Sequence, residues 1–268
     1  MDKRISGNLI NRIRENKPLI HNITNIVVAN FTANGLLALG AKPVMASAPE
    51  EVAEMTKAAN ALVLNMGTLN REHLKAMIIS GKAANEKGIP VVLDPVGVGA
   101  TQFRTESAQQ LLREVNANFI RGNAAEIANL IGQAWEIRGV EAGKSDGNVV
   151  DLAILAAQKL QATVVITGKK DIITDGATTF LVCNGHPLLT KVTGAGCLLS
   201  AVIGAFAAEE SDLLQAAISA LTTYGIAAEI AAAKTAGFGP GSFQVEFINQ
   251  LALISPTQIE QYSQFESL

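Results

Sequence analysis

Short, strongly apolar runs alternate with amphipathic stretches along most of the chain, and this alternation restricts the possible folds more than any other feature of the sequence. The apolar runs show no clean period of two, which is typical of strands covered by helices on both faces. Strands and helices in alternation predict parallel strands joined by right-handed crossovers. The runs predicted as parallel strands are 18–24, 41–46, 61–67, 90–95, 118–121 and 162–167.

The remaining elements complete an α/β domain. The helical stretches between the strands are 25–39, 49–59, 70–87, 123–131 and 151–160. After Gly168, two apolar runs flank the turn signal Asp175-Gly176, which predicts a short antiparallel hairpin at the sheet edge. We expect residues 194–253 to be mostly helical and 255–268 to form a short helix and a frayed end. The glycine-rich segment 139–148 is predicted to be a surface loop, and residues 1–268 a single domain.

Composition narrows the range of partners. The 268 residues are 49% hydrophobic, which is ample for a buried core, but only 17% charged, which indicates that some surface is covered in an oligomer. The net charge of −3 and the lack of a basic stripe argue against nucleic acid. No run of eighteen apolar residues predicts a membrane span, and the first residues lack an apolar leader core. With only Cys183 and Cys197, we expect a reduced, cytoplasmic setting.

A glycine-rich turn, Gly194-Ala195-Gly196-Cys197, precedes a strongly apolar helical stretch. Such a turn lets backbone N–H groups point at one spot, where the helix N-terminus adds partial positive charge, so it suits an anion. Thr193 could cap the helix or donate to a phosphate. No Lys-Ser/Thr pair follows the glycines, so the turn is neither a P-loop nor a dinucleotide fingerprint. The alternative interpretation is an ordinary helix start with a buried structural cysteine.

Two carboxylates follow predicted strands. Asp94 ends an apolar run, and Glu126 opens a helix three residues after Asn123. Ligands of open α/β sheets bind at the carboxyl ends of the strands, and hard oxygen ligands beside phosphates suit Mg²⁺. Simpler interpretations exist for both residues: Asp94 as a turn former, and Glu126 as half of a capping box with Asn123.

These stretches together resemble the ribokinase-like superfamily, which shares an N-x-x-E motif for magnesium and phosphate and a G-x-G-D anion hole beside a catalytic base. Residues 123–126 match the first motif, and 194–197 match the two glycines of the second. Within that superfamily the chain resembles the hydroxyethylthiazole kinase family. The stretches that carry this resemblance are 20–25, 42–46, 64–67, 93–101, 120–127 and 192–197.

The resemblance implies a three-layer α/β/α fold and the transfer of a phosphoryl group from ATP to 4-methyl-5-(2-hydroxyethyl)thiazole in thiamine biosynthesis. It further implies Mg²⁺ and a homotrimer with active sites between subunits. The residues implied at the thiazole are Met45, Gly194, Asn25 and Val27. Those implied at ATP are Arg121, Thr167 and Asn123, and those at the metal and phosphates are Asp94 and Glu126. The catalytic segment implied is Cys197 with Gly194, Ala195 and Gly196.

Position 197 departs from the superfamily, where aspartate is usual. Cys197 leaves the identity of the base open, and we expect a weak base, because a neighbouring triphosphate opposes the effect of the helix N-terminus on the thiol. One rival hypothesis is another ribokinase-like enzyme, such as a hydroxymethylpyrimidine kinase or an NAD(P)H-hydrate dehydratase, against which the 21–25 and 43–46 stretches argue. A second is a nucleotide-binding regulator or metabolite sensor without catalysis. The residues that argue against it are the intact Asp94, Arg121, Asn123 and Glu126.

Overall fold

A computed structural model describes residues 2–133 and 146–268 of the chain. Most of the predicted surface loop 139–148 therefore lies outside the described residues, and at 146–148 only the helical backbone is described.

Within the described residues, nine strands form one sheet in the order β2-β1-β3-β4-β5-β6-β7-β8-β9. The strands are β1 (Leu19–Ile23), β2 (Lys42–Val44), β3 (Ala61–Asn65), β4 (Val91–Asp94), β5 (Phe119–Gly122), β6 (Thr163–Ile166), β7 (Asp171–Thr174), β8 (Thr179–Val182) and β9 (Phe265–Ser267). The first six are parallel, and β7, β8 and β9 continue the sheet in antiparallel pairing. The predicted, mostly parallel sheet with an antiparallel edge hairpin is confirmed.

Helices cover both faces of this sheet. They are α1 (Lys3–Asn16), α2 (Ala29–Leu39), α3 (Val52–Ala58), α4 (Arg71–Lys87), α5 (Gln102–Glu114), α6 (Ala124–Leu130), α7 (Asp146–Leu160), α8 (Ala195–Ala207), α9 (Leu213–Lys234), α10 (Pro240–Leu253) and α11 (Pro256–Tyr262), with a 3₁₀ turn at Pro187–Lys191. Helices α3 to α7 bury their apolar residues on one face of the sheet, and α1, α2 and α8 to α11 do so on the other. The result is the expected three-layer α/β/α arrangement.

The C-terminus is ordered, so the prediction of a frayed end is wrong. Strand β9 pairs with β8, where Cys183 N–H donates to the Gln264 carbonyl at 2.8 Å. Phe265 packs edge-to-face on Phe180, with ring centroids 6.4 Å apart, and the Lys3 ammonium lies over the Phe265 ring. Since β8 precedes β9 by about eighty residues in the chain, local sequence carries little information about this pairing.

Helix α9 is the one helix of the described residues that is long and apolar enough to cross a membrane. Of its apolar window, 83% is buried inside the fold, between α8 and α10. Its apolar character is therefore satisfied by packing within the domain. Its alanines allow the neighbouring helices to approach closely, and it packs against α8, the helix that begins at the glycine-rich turn.

Candidate active site

The parallel strands bring the polar candidates to one edge of the sheet. Asn65 is the last residue of β3 and Asp94 the last of β4, and the two are register partners in neighbouring strands. Arg121 lies in β5, Thr167 follows β6, and Asn25 lies in the turn after β1. Because carboxyl ends of parallel strands share an edge, residues from five separate segments meet where ligands bind in such sheets.

Asp94 is fully buried and held by two donors. Asn65 Nδ2 donates to its Oδ2 at 2.7 Å, and the Ser200 hydroxyl donates to the same oxygen at 2.9 Å. The other oxygen, Oδ1, is buried and has no hydrogen-bond partner among the described residues; Arg121 Nη1 lies 3.8 Å from it. Burial raises the pKa of Asp94 to about 6, while Arg121 and the hydrogen bond from Ser200 oppose the rise. The carboxylate is thus positioned with one oxygen left for a further ligand.

Arg121 connects three parts of the site. Its Nη2 donates to the Thr167 hydroxyl at 2.6 Å, and its guanidinium also faces Asp94. A Cβ placed on Gly196 would lie only 2.7 Å from Arg121 Nη1, so the guanidinium rests directly on the backbone of the glycine-rich turn. A planar cation in this position can contact a polyphosphate through several N–H groups at once.

Asn123 and Glu126 form a capping box at the start of α6. The Asn123 side chain accepts from Glu126 N–H at 2.9 Å, and Glu126 Oε2 accepts from Asn123 N–H at 3.0 Å. Glu126 Oε1 accepts from the backbone N–H of Gly97, in the loop after β4, at 2.9 Å. The capping box, which is the simpler interpretation of the motif, is therefore formed. Each oxygen of Glu126 still keeps a second lone pair for a further contact.

The turn before α8 has the geometry of an anion site. Gly194 is the N-cap residue, with a φ of +89° and no side-chain cap, so Thr193 does not cap this helix. Among the described residues, the N–H groups of Gly196 and Cys197 have no hydrogen-bond acceptor. Two unsatisfied N–H groups at the positive end of a helix, beside the Arg121 guanidinium, favour negative charge.

Cys197 lies half-buried in the first turn of α8. Asn25 Nδ2 lies 3.6 Å from its Sγ. Burial raises the pKa of the thiol, and the charge of Asp94 raises it further. Both effects favour the neutral thiol over the thiolate.

The residues expected at the thiazole lie on the α2 side of this turn. Asn25 is buried, Val27 is 65% exposed, and a Cβ on Gly194 would meet the Val28 side chain at 2.7 Å. These contacts bring Gly194 beside the turn after β1. Met45 follows β2 at the same edge and is half-buried, and the structure describes no polar contact between its segment and the α8 turn.

His21 anchors this side of the sheet. Its ring nitrogens lie 2.8 Å from the Thr56 hydroxyl and 2.9 Å from the Ala46 carbonyl, and burial lowers its pKa. A buried histidine with both nitrogens paired fixes the segment after β2, so it does not take part in the chemistry as a free base.

Sequence analysis missed two residues of the network, Asn65 and Ser200. Asn65 Oδ1 accepts from Asn25 Nδ2 at 2.8 Å and from Gly67 N–H at 3.0 Å, while its amide nitrogen donates to Asp94. The signal that could have revealed Asn65 is a polar residue at the end of an apolar strand, the same signal that singled out Asp94. Ser200 stands three residues after Cys197 in an apolar helix and gives no comparable signal.

A cleft of about 670 Å³ opens from Arg121 and the α8 turn toward α9. Its polar lining includes Arg121, Thr167, Lys169, Asp171 and His186. Its apolar lining includes Leu189, Leu199 and Leu221. A cleft with a cationic group and apolar walls suits a nucleotide, which has a charged and a flat apolar part.

The donor set fits a magnesium ion that takes most of its ligands from water and phosphate. Within residues 2–133 and 146–268, no three His, Cys, Asp or Glu side chains cluster as a protein metal cage. The buried Oδ1 of Asp94, which has no partner among those residues, is the type of atom that an ion or its water would satisfy.

The fold and this site together define an α/β small-molecule kinase of the ribokinase-like class. Two solved structures share the fold. A ribokinase-like superfamily protein from Enterococcus faecalis matches with a TM-score of 0.64 at 13% identity, over 94% of this chain and 89% of that one. A Bacillus subtilis pyridoxal kinase in complex with ADP matches with a TM-score of 0.56 at 19% identity, over 79% and 91% of the two chains.

The chain belongs to the hydroxyethylthiazole kinase family, whose model matches residues 10–257. It is also similar to a hydroxyethylthiazole kinase protein from Pyrococcus horikoshii OT3, with 42% identity, a TM-score of 0.91 and coverage of 99% of both chains. Family membership assigns to the chain the ATP-dependent phosphorylation of the hydroxyethyl alcohol of the thiazole, a step of thiamine biosynthesis.

Proposed function

We propose that the chain performs this phosphoryl transfer as a single domain, at the edge where Asp94, Arg121 and the N-terminus of α8 meet. The observation that carries the proposal is this convergence: a buried carboxylate with a free oxygen, a guanidinium, and two unpaired backbone N–H groups at one point. Each member suits a different part of a triphosphate undergoing transfer.

ATP would occupy the cleft that extends from Arg121 toward α9. Arg121 and Thr167 would contact the phosphates, and Asn123 would hold the start of α6 beside them. The apolar residues of the cleft would receive the base. The support for this placement is the continuity of the cleft with the guanidinium and the turn before α8.

Asp94 and Glu126 would hold Mg²⁺, chiefly through water. When bound, the ion would neutralise charge on the phosphates. Glu126 already accepts two backbone N–H groups, so its remaining lone pairs are better placed to orient a metal-bound water than to displace those donors.

The thiazole would lie on the opposite side of the glycine-rich turn, against Met45, Gly194, Asn25 and Val27. A thioether packs favourably on a flat sulfur heterocycle. Its hydroxyl would then face the γ-phosphate next to Cys197. Met45 is half-buried at the sheet edge, so its side chain is open to a ligand on one side.

A cytoplasmic homotrimer with its sites between subunits completes the proposal. Ile26 is 79% exposed and Val27 65% exposed, and Leu37 of the adjoining helix α2 is exposed as well. Apolar side chains grouped beside a ligand site support burial against another copy of the chain. Both cysteines are free thiols, as a reducing compartment requires.

In the proposed reaction the hydroxyl oxygen attacks the γ-phosphorus in line, and the bond to the bridging oxygen of ADP breaks. Such transfers pass through a loose state, so positioning and charge stabilisation dominate. The N–H groups of Gly196 and Cys197 would bind the moving phosphoryl group. Cys197, as a neutral thiol, would orient the hydroxyl, and the hydroxyl proton would pass late in the reaction to an oxygen of the transferred phosphoryl group.

The test is ADP release from Mg-ATP with and without hydroxyethylthiazole, with the product identified by mass spectrometry. We expect thiazole-dependent ADP and a phosphorylated alcohol, and an Arg121→Met variant should lose most of this activity. Binding of ATP and thiazole without ADP release would instead identify a sensor. Absence of thiazole binding would redirect the search to substrates of other ribokinase-like enzymes, such as hydroxymethylpyrimidine.

A further inference from the structure

Tyr224 lies in α9 beneath the first turn of α8. It is 3% exposed, and its ring packs edge-to-face on Phe247 with centroids 4.8 Å apart. Its hydroxyl donates to the backbone carbonyl of Ala195 at 2.5 Å, the one hydrogen bond that this hydroxyl makes within the described residues. A buried hydroxyl is costly to leave unpaired, so this bond holds the carbonyl in a defined direction.

The direction of that carbonyl also sets the direction of an N–H group. The Ala195 carbonyl and the Gly196 N–H belong to one planar trans peptide, and they point in opposite directions. Ala195 is the first residue of α8, so the helical ladder also restrains this peptide, but Gly196 has no Cβ to restrict its φ, and Gly194 precedes the peptide with a φ of +89°. Glycine is nevertheless needed at 196, since a Cβ there would meet the Arg121 guanidinium. The close approach of Arg121 therefore requires, in the first turn of α8, the residue type that restrains the backbone least, and Tyr224 adds a restraint from a second helix.

We propose that Tyr224 is a positioning residue for phosphoryl transfer: its hydroxyl fixes the Ala195–Gly196 peptide so that the Gly196 N–H stays aimed at the phosphoryl group. This inference rests on the proposed function. Tyr224 belongs to the wall of the cleft assigned to ATP, but its side chain is almost fully buried, so its hydroxyl acts through the backbone of Ala195. Burial raises the pKa of Tyr224 far above its ordinary value, so the hydroxyl remains a donor at every physiological pH.

The test compares Tyr224→Phe with wild type. This variant removes one oxygen and keeps the ring on Phe247. We expect kcat to fall roughly three- to tenfold, the effect of one lost hydrogen bond on the transition state, while the KM values and the Kd of ADP stay unchanged. Aluminium fluoride with ADP mimics the planar phosphoryl group, and its affinity should fall by the same factor. Tyr262→Phe, at the other tyrosine of the chain, should leave all of these values unchanged.

Phe247→Leu separates positioning from general stability. It loosens α9 packing without removing the bond to Ala195, so it should lower the Tm and leave the affinity for ADP with aluminium fluoride intact. The inference is overturned if kcat is unchanged in Tyr224→Phe. It is also overturned if Phe247→Leu loses as much kcat, and as much affinity for ADP with aluminium fluoride, as Tyr224→Phe does. If wild type does not phosphorylate the thiazole, the proposed function fails, and the comparison of ADP–aluminium fluoride affinities still decides the role of Tyr224.

Discussion

Asn65 Nδ2 lies 2.7 Å from Asp94 Oδ2, so the end of β3 supplies one of the two hydrogen bonds that hold the buried carboxylate. The carbonyl oxygen of the same Asn65 side chain accepts a hydrogen bond from the Asn25 amide. One amide therefore joins the side proposed for the thiazole to the side proposed for phosphate and metal, and a change at Asn65 should affect both.

Replacing Asn65 with leucine should destabilise the protein and reduce its activity. The variant leaves the Asp94 carboxylate with one donor and the Asn25 amide without its acceptor, and an unsatisfied buried polar group costs about 1–3 kcal/mol. Urea unfolding measures the loss. Asn16→Leu, which removes an exposed amide bonded to Glu209, is the matched control and should change the free energy of unfolding by less than about 0.5 kcal/mol. Equal losses in the two variants would contradict the buried network.

The stability of the metal-free, ligand-free protein should depend on pH through Asp94. Burial raises its pKa from 3.8 to about 6, so between these values the folded chain binds more protons than the unfolded chain. This contribution to stability is present at low pH, is lost as pH rises through about 6, and amounts to at most about 3 kcal/mol. Burial also raises the pKa of Asp171 to about 6, so Asp171 contributes a slope of the same sign. Urea unfolding in EDTA from pH 4.5 to 7.5 should therefore show a shallower slope in Asp94→Asn than in wild type, whereas Asp151→Asn, which alters an exposed carboxylate, should match wild type.

Cys197→Ala should keep turnover within about tenfold of wild type, because a neutral thiol with a raised pKa contributes little as a base. Cys197→Ser should behave like Cys197→Ala, although a serine hydroxyl is far harder to ionise. Cys197→Asp should raise turnover, toward the lower end of the roughly 10² to 10⁴ that a good base contributes. Steady-state kinetics with all three variants measures this. Loss of transfer in the alanine variant, with both substrates still bound, would show that the thiol is essential.

Gly196→Ala should weaken nucleotide binding by about tenfold or more, since the added Cβ would lie 2.7 Å and 2.9 Å from the two terminal nitrogens of Arg121 and displace the guanidinium. Calorimetry with ADP measures the effect. Gly241→Ala is the control: it lies in α10, no atom lies within 4 Å of its added Cβ, and it should bind ADP like wild type. Unaltered ADP affinity in Gly196→Ala would remove Arg121 from the phosphate site.

Ile26→Asp should dissociate the proposed trimer and reduce activity, while the separated subunits remain folded. The side chain is 79% exposed in the single chain, so the substitution disturbs no core contact, but a carboxylate is poorly accommodated in an apolar interface. Sedimentation velocity tests the dissociation of the trimer, and circular dichroism tests whether the separated subunits remain folded. Leu268→Asp, at a residue 62% exposed beyond β9, should leave the assembly intact. Wild type sedimenting as a stable monomer would exclude shared sites.

Local sequence patterns were sufficient to predict the parallel sheet and the position of Asp94 at a strand end, because apolar runs and their polar ends are features of contiguous sequence. Arg121 was named only through the family resemblance. Local patterns failed where contacts between segments far apart in the chain determine the structure. Strand β9 exists because β8 offers an unpaired edge, and Tyr224 meets Ala195 across 29 residues of chain and two helices. Helices α1 and α5 were also missed. The buried residues of α1, among them Leu9, Ile10 and Ile13, do follow helical spacing, so its pattern was present in the sequence, whereas α5 buries only Ser107, Ala108 and Leu111. For Glu126, the sequence was compatible with both helix capping and metal binding. Of these two roles, its hydrogen bonds include the capping one.

Glu126 fastens the start of α6 to the loop after β4 through Asn123 and Gly97, whatever ligand is bound. A descendant of this protein that lost its kinase activity would still unfold more readily if it lost Asn123 or Glu126. Selection for foldedness alone would therefore preserve the N-x-x-E motif long after catalysis had ended. Asp94, and Arg121 together with a glycine at 196, have no such structural role in capping. Among relatives of this chain, we therefore expect the presence of these residues to indicate kinase activity more reliably than the N-x-x-E motif does.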